Sequence, residues 1–202
     1  MKHSEIVFIV DRSGSMYGIA SDMEGAMKEI IQKQKDLDGD VLVTYARFDE
    51  EYEEVFSEKN INDVDGFNLE PRGGTALHDA IGKTINKVER RFNQKEAADQ
   101  PSRILFIIIT DGGENSSVEF SKSQVQEMIK KVERDYDWGV TYPAANQDAI
   151  AVGNGIGVTR GSSVNFNATQ KGVRAMSKSV STYAHDFLST GKASYDSEDA
   201  SE

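Results

Sequence analysis

The sequence predicts an α/β fold: a doubly wound, mostly parallel central sheet with helices on both faces and one short antiparallel edge strand. Two observations carry this. The apolar blocks Ile6–Val10 and Ile104–Ile109 are continuous. They lack the alternation of a half-exposed strand, as parallel strands buried on both faces do. Between strand-like blocks, apolar residues recur every three or four positions, the spacing of crossover helices.

Each element follows from its own pattern. Ile6-Val7-Phe8-Ile9-Val10 is the first strand. Ile19, Met23, Met27, Ile30 and Ile31 share a helical face, so the methionines there are core filler. Val41–Phe48 reads as a strand, and Glu53-Glu54-Val55-Phe56 as a shorter, more polar one suited to an edge. Leu77, Ile81, Ile85, Val88 and Phe92 mark a second helix. Pro101 closes a loop before the central block at Ile104. Val125, Met128, Ile129 and Val132 mark a third helix, capped by Ser121 or Ser123. Trp138–Tyr142 is a strand followed by a loop over 143–148. Gly153-Asn154-Gly155-Ile156-Gly157 is a turn, because it lacks the full dinucleotide fingerprint and precedes a strand-like stretch. Val164-Asn165-Phe166 is a weaker strand. Val173, Met176, Val180, Tyr183 and Phe187 step 3, 4, 3, 4 along a last helix.

A chain of 202 residues is one domain by length. We place it at residues 1–188, with 189–202 as an acidic, serine-rich, disordered tail. Lysine and arginine number 23 against 34 aspartates and glutamates, a formal charge of −11. That argues against a nucleic-acid groove, which needs a basic face. The absence of cysteine excludes disulfides, zinc–thiolate sites, iron–sulfur clusters and cysteine nucleophiles. No segment reaches the roughly 18 apolar residues of a membrane span. The five apolar residues after Glu5 fall short of a secretory core of about 7–15. A cytoplasmic protein with no membrane partner is the expectation. The oligomeric state is open.

Open parallel sheets bind ligands beyond the carboxyl ends of their strands. Three loops there carry hydroxyls, carboxylates and glycines: Asp11-Arg12-Ser13-Gly14-Ser15, Arg72-Gly73-Gly74-Thr75-Ala76-Leu77 and Thr110-Asp111-Gly112-Gly113-Glu114-Asn115. All the donors are hard oxygens, which suit Mg²⁺ or Mn²⁺, with Ca²⁺ the further possibility. Asp11 and Asp111 supply −2, while Ser13, Ser15 and Thr75 add no charge. A divalent ion there is neutralised and still able to accept an outside carboxylate.

Asp11-x-Ser13-x-Ser15, Thr75 in Gly-Gly-Thr-Ala-Leu, and Thr110-Asp111-Gly112 after a buried strand resemble the metal-ion-dependent adhesion site of a von Willebrand factor type A domain. The Rossmann-like fold resemblance covers roughly Glu5 to Leu188, and residues beyond Tyr142 match less well. The resemblance implies that Ser13 and Ser15 bind metal directly. It implies that Thr75 and Asp111 exchange direct and water-mediated roles, and that Asp11 acts through water. The short loops and absent cysteine resemble the intracellular bacterial or phage members. On this resemblance, Arg12, Gly74, His78, Gly112 and Glu114 form the partner-binding rim. The same residues have plainer uses: Arg12 as a solvated arginine, His78 as packing on the helix surface, Glu114 as the start of a solvated loop.

Two functions follow from different classes. One is a non-enzymatic module whose metal captures a Glu or Asp of a protein partner. The other is a metal-dependent phosphohydrolase with Asp11 as nucleophile. That chemistry usually wants a second acid two residues on, where Ser13 stands, and no phosphate-binding loop motif is present.

Overall fold

A computed structural model describes residues 3–195. Strand β1 (His3–Asp11) leads through a 3₁₀ turn (Gly14–Gly18) into helix α1 (Ala20–Gln34). Strand β2 (Asp40–Phe48) then turns back into β3 (Tyr52–Asn60). Helix α2 (Leu77–Gln94), strand β4 (Arg103–Ile109) and helix α3 (Lys122–Tyr136) follow. The chain continues through β5 (Gly139–Ala145), α4 (Ala149–Gly155), β6 (Ser163–Phe166) and α5 (Gln170–Thr190). The sheet has six strands in the order β3-β2-β1-β4-β5-β6. Only β3 runs antiparallel to its neighbour. No helix among the described residues is long and apolar enough to cross a membrane.

The two apolar blocks are the middle of the sheet because both faces must be covered. Ile6, Phe8 and Val10 of β1, with Leu105, Ile107 and Ile109 of β4, pack against α1 and α5. Val7 and Ile9, with Ile104, Phe106 and Ile108, pack against α2 and α3. A strand with period-two exposure could not serve both layers.

From β1 the chain crosses by α1 to β2 on one side, and from β4 it crosses by α3 to β5 on the other. The loops leaving β1 and β4 therefore part toward opposite faces and leave a crevice between them. The β1–β4 ladder ends at Val10 and Ile109, so Asp11 and Thr110 come next, side by side.

Several elements differ from expectation. Strand β3 is nine residues long because its pairing with β2 needs only backbone groups, and its charged side chains suit an edge. Of the two caps expected for α3, Ser121 is the one used, in a capping box with Gln124. Strand β5 continues through Pro143 to Ala145, where a loop was expected, since all seven positions are buried. The 153–157 turn is in part helix: Asp148 caps α4 by accepting from Ala151 N–H. Gly153 permits a close approach, because a β-carbon there would lie 2.2 Å from Ser163 Oγ. Only Gly157, at φ +96°, turns the chain.

The segment from Ser189, expected as the start of the tail, first completes α5. Gly191 then ends the helix in the left-handed region at φ +81°. Tyr195 stacks on Tyr183 at 4.7 Å, and its hydroxyl lies 2.6 Å from Thr141 Oγ1. One buriable aromatic outweighs its polar neighbours. The rest of the expected tail, 196–202, lies outside the described residues.

The central position of β4 sets a contrast between two truncations. Ile107→Ala, in the fully buried middle, is expected to cost about 2–5 kcal/mol in urea unfolding. Val55→Ala, on the half-exposed edge strand, should change stability by no more than about 0.5 kcal/mol.

Candidate metal centre

The site begins with the Asp11 carboxylate, which is 0% exposed at the end of β1. Its Oδ1 accepts Ser13 N–H at 2.6 Å, closing a turn that brings the serines back over the strand end. Its Oδ2 accepts the Thr110 hydroxyl at 2.6 Å, which staples β1 to β4. Burial pushes the Asp11 carboxyl up to about 6, against the bonds from Thr110 and Ser13, and the charge of Asp111 adds to the rise. Burial raises Asp111 too, while the Ser15 hydroxyl works the other way.

The remaining donors converge on this pair. Ser13 Oγ and Ser15 Oγ are 3.0 Å apart, and Ser15 donates to Asp111 Oδ1 at 2.5 Å. Thr75 is set by Asn115, whose side-chain oxygen accepts Thr75 N–H at 2.9 Å. The Thr75 carbonyl accepts from Asn115 N–H and Ser116 N–H at 3.0 and 3.2 Å. The loop before α2 is thereby sewn to the loop after β4. A β-carbon placed on Gly112 would lie 3.6 Å from both Ser15 Oγ and Thr75 Oγ1, and 4.0 Å from Asp11 Oδ2. Oxygens from two loops thus face one small space on the third, which glycine leaves open.

This donor set fits a small divalent cation. Neighbouring oxygens around an octahedral ion at about 2.0–2.1 Å lie about 2.9 Å apart, close to the Ser13–Ser15 separation of 3.0 Å. Two buried carboxylates raised by burial form a charge deficit that a cation offsets. Among the described residues no group of three or more His, Cys, Asp or Glu could hold a metal. A cation here depends on the hydroxyls beside the two carboxylates.

The expected rim is rearranged. Arg12 is buried and points under the loop, so it is neither solvated nor aimed outward. Its guanidinium pairs with Asp49 at 3.0 Å and with Glu53 at 2.8 Å. Asp49, also buried, accepts from Arg72 at 2.6 Å as well. Two arginines from two loops therefore share one acid, and its carboxyl sits below the usual range: burial would raise it, and Arg72, Glu51 N–H and Arg12 outweigh that. Glu114 is occupied by its own loop and the start of α2, accepting from His78 N–H, Ser116 N–H, Ser117 N–H and the Ser117 hydroxyl. His78 lies 3.7 Å from Glu114 and is half-buried, and burial holds its pKa below the ordinary value against the pull of Glu114. Gly74 is a close-approach residue, since a β-carbon there would lie 2.5 Å from Ser116 Oγ. Gly112 does face the oxygens.

Sequence reasoning missed Asp49, Asn146 and Gln147 as shapers of this site, and offered Asn115 only for its rim. Asn146, at φ +56°, donates to the Asp111 carbonyl at 3.0 Å, and Gln147 donates to the Gly112 carbonyl at 3.0 Å. An asparagine just past a strand, a residue tolerant of the left-handed region, was the available signal.

The family model for the von Willebrand factor type A domain matches residues 5–169. The chain belongs to that family. Solved structures with the same fold include proximal thread matrix protein 1 of the mussel byssus, with a TM-score of 0.65 and 15% identity. The ArnB paralogue VWA2 of Sulfolobus acidocaldarius gives 0.59 and 15% over 91% of this chain and 45% of that one. Manganese-loaded TRAP of Plasmodium vivax gives 0.56 and 14%, covering 96% of this chain and 74% of that one. The chain spans 46% of the mussel protein while 91% of its own length is matched. No curated protein matches it.

Beside the centre of this von Willebrand factor type A domain, buried Asp79 of α2 accepts N–H bonds from Val118, Glu119 and Phe120 at 2.9, 2.9 and 2.8 Å. Burial opposes its charge, but the bonds from Val118, Phe120 and Glu119 outweigh it and hold the carboxyl below 3.8. Its contribution to stability is therefore present above about pH 4 and lost as the pH falls through the lower folded value. Asp79→Asn should cost about 1–3 kcal/mol at pH 7. In urea unfolding across pH 2–7, the gap between wild type and variant should close at the acid end.

Proposed function

We propose that this domain binds a protein partner through a divalent ion, Mg²⁺ or Mn²⁺. Ser13 and Ser15 would hold it directly, Thr75 and Asp111 directly or through water, and Asp11 through water. The convergence of Ser15, Thr75 and Asp11 oxygens over Gly112 carries this reading. When bound, the ion supplies an open coordination position that accepts a Glu or Asp carboxylate from the partner.

The chain's own residues do the rest. Asp11 fixes the serine turn, and Asn115 fixes Thr75. Asp11 and Asp111 give −2 and the hydroxyls add none, so the site retains appetite for one more anion. With a net charge of −11, capture is local and not by long-range attraction. Type A domains are typically interaction modules. Two of the relatives hold metals: zinc in the metal-ion-dependent adhesion site motif of the mussel protein, manganese in TRAP. Short loops and the lack of cysteine support an intracellular bacterial or phage member.

The phosphohydrolase alternative is weaker on geometry. Both Asp11 oxygens are engaged and buried, and the Arg12 guanidinium beside it in sequence is committed to Asp49 and Glu53, not to a phosphate.

Thermal unfolding with Mg²⁺, Mn²⁺ and EDTA tests the site. At about 100 times Kd the wild type should gain about 2.7 kcal/mol, and Asp11→Ala or Asp111→Ala should gain none. Equal gain in the variants refutes the assignment. Mg²⁺-dependent phosphatase turnover that vanishes in Asp11→Asn would favour the enzyme.

A further inference from the structure

Among the described residues four large apolar side chains are exposed: Val118 at 89%, Tyr17 at 81%, Val55 at 42% and Ile150 at 38%. Scattered single cases need no explanation. Three of these, however, sit at the sheet end that carries the metal centre. Tyr17 is two residues past Ser15, Val118 lies in the loop that Asp111 begins, and Ile150 is in the first turn after β5. The two most exposed are on the loops that supply Ser15 and Asp111.

Both are held outward by anchors beneath them. Tyr17 stands in a turn whose Met16 and Ile19 are buried, closed by Met16 N–H to Ser13 O and Ile19 N–H to Met16 O, each 3.0 Å. Val118 is fixed by Asp79, and Phe120 beside it packs directly on Gly82, where a β-carbon would lie 2.5 Å from the ring. A slack loop would fold such side chains inward, because apolar surface leaves water wherever the chain allows. Rigid presentation instead lowers the ordering cost of binding. Met16 belongs to the layer with α1 and α5, and Phe120 packs against the layer with α2 and α3. The Tyr17 turn and the Val118 loop are thus anchored on opposite faces of the sheet. The Glu50 carboxylate reaches over Gly73 and Gly74, next to Thr75, and makes the rim repellent to further acids.

We propose that the partner segment seated here carries a single Asp or Glu with a large apolar residue on each side, Tyr17 covering one flank and Val118 the other. This rests on the ion-dependent reading above. An isolated acid between apolar residues meets both the electrophilic centre and the apolar rim. A run of acids meets Glu50.

The test is selection of displayed linear peptides on the full chain in Mg²⁺, with a fixed central Asp or Glu, random flanks and elution by EDTA. Enriched sequences should carry apolar residues on both flanks and few further acids. The double variant Tyr17→Ser, Val118→Ser should bind the winning peptide about tenfold or more weakly, yet keep its Mg²⁺-induced thermal stabilisation. EDTA-eluted peptides with polar flanks, full affinity in the variant, or an empty selection with that stabilisation intact overturn the inference and leave the ion site standing. Selected peptides indifferent to EDTA and to loss of the central acid overturn the ion reading itself.

Discussion

The carboxylate of Asp11 is the joint on which the upper end of this molecule depends. It has no contact with solvent, and its two oxygens serve two purposes. One closes the Ser13 turn, and the other takes the Thr110 hydroxyl from the neighbouring strand. The first bond directs the serines, and the second keeps β1 and β4 together where their loops part. These bonds only partly offset the burial of the charge, which pushes the Asp11 carboxyl up to about 6. On the proposed reading, a bound cation would offset that buried charge.

Around that joint the three loops are tied in pairs. Gly14 N–H reaches the Gly73 carbonyl, and Arg72 N–H reaches the Arg12 carbonyl. Asn115 binds Thr75 from both side chain and backbone. Asp49 lies between Arg12 and Arg72. Losing Asp49 would leave the buried Arg12 guanidinium with Glu53 alone. Its role is geometric: it keeps the Ser13 loop and the Thr75 loop at one spacing. Preorganised hydroxyls need no rearrangement before accepting an ion.

Recognition at this end divides into chemistry and shape. On the proposed reading, the oxygens over Gly112 would set what kind of group is captured. The side chains exposed on the flanking turns would, on the same reading, set which neighbours that group can have. A net charge of −11 works against long-range attraction of acidic proteins, so a partner captured as proposed would be held by contacts at the centre itself.

The continuous apolar runs of β1 and β4 determined the doubly wound sheet, because only strands covered on both faces tolerate them. The helical faces determined the crossovers, and the spaced serines, threonine and aspartates marked the centre. Strand β5 past Pro143, the helix at 149–155 and the packing of Tyr195 were not legible, since their local composition reads as loop and their burial comes from distant neighbours. Arg12 and Glu114 show the same limit. A charged residue beside a ligand position looks like rim in one dimension. Whether it faces solvent or an inner partner is decided by Asp49 and Glu53 for the first, and by the turn of residues 116–117 for the second. Sequence pattern fixes which residues must be buried or must bind, because periodicity and donor chemistry are local properties. Tertiary structure alone decides which charges meet, because pairing depends on where separate loops are brought by the sheet.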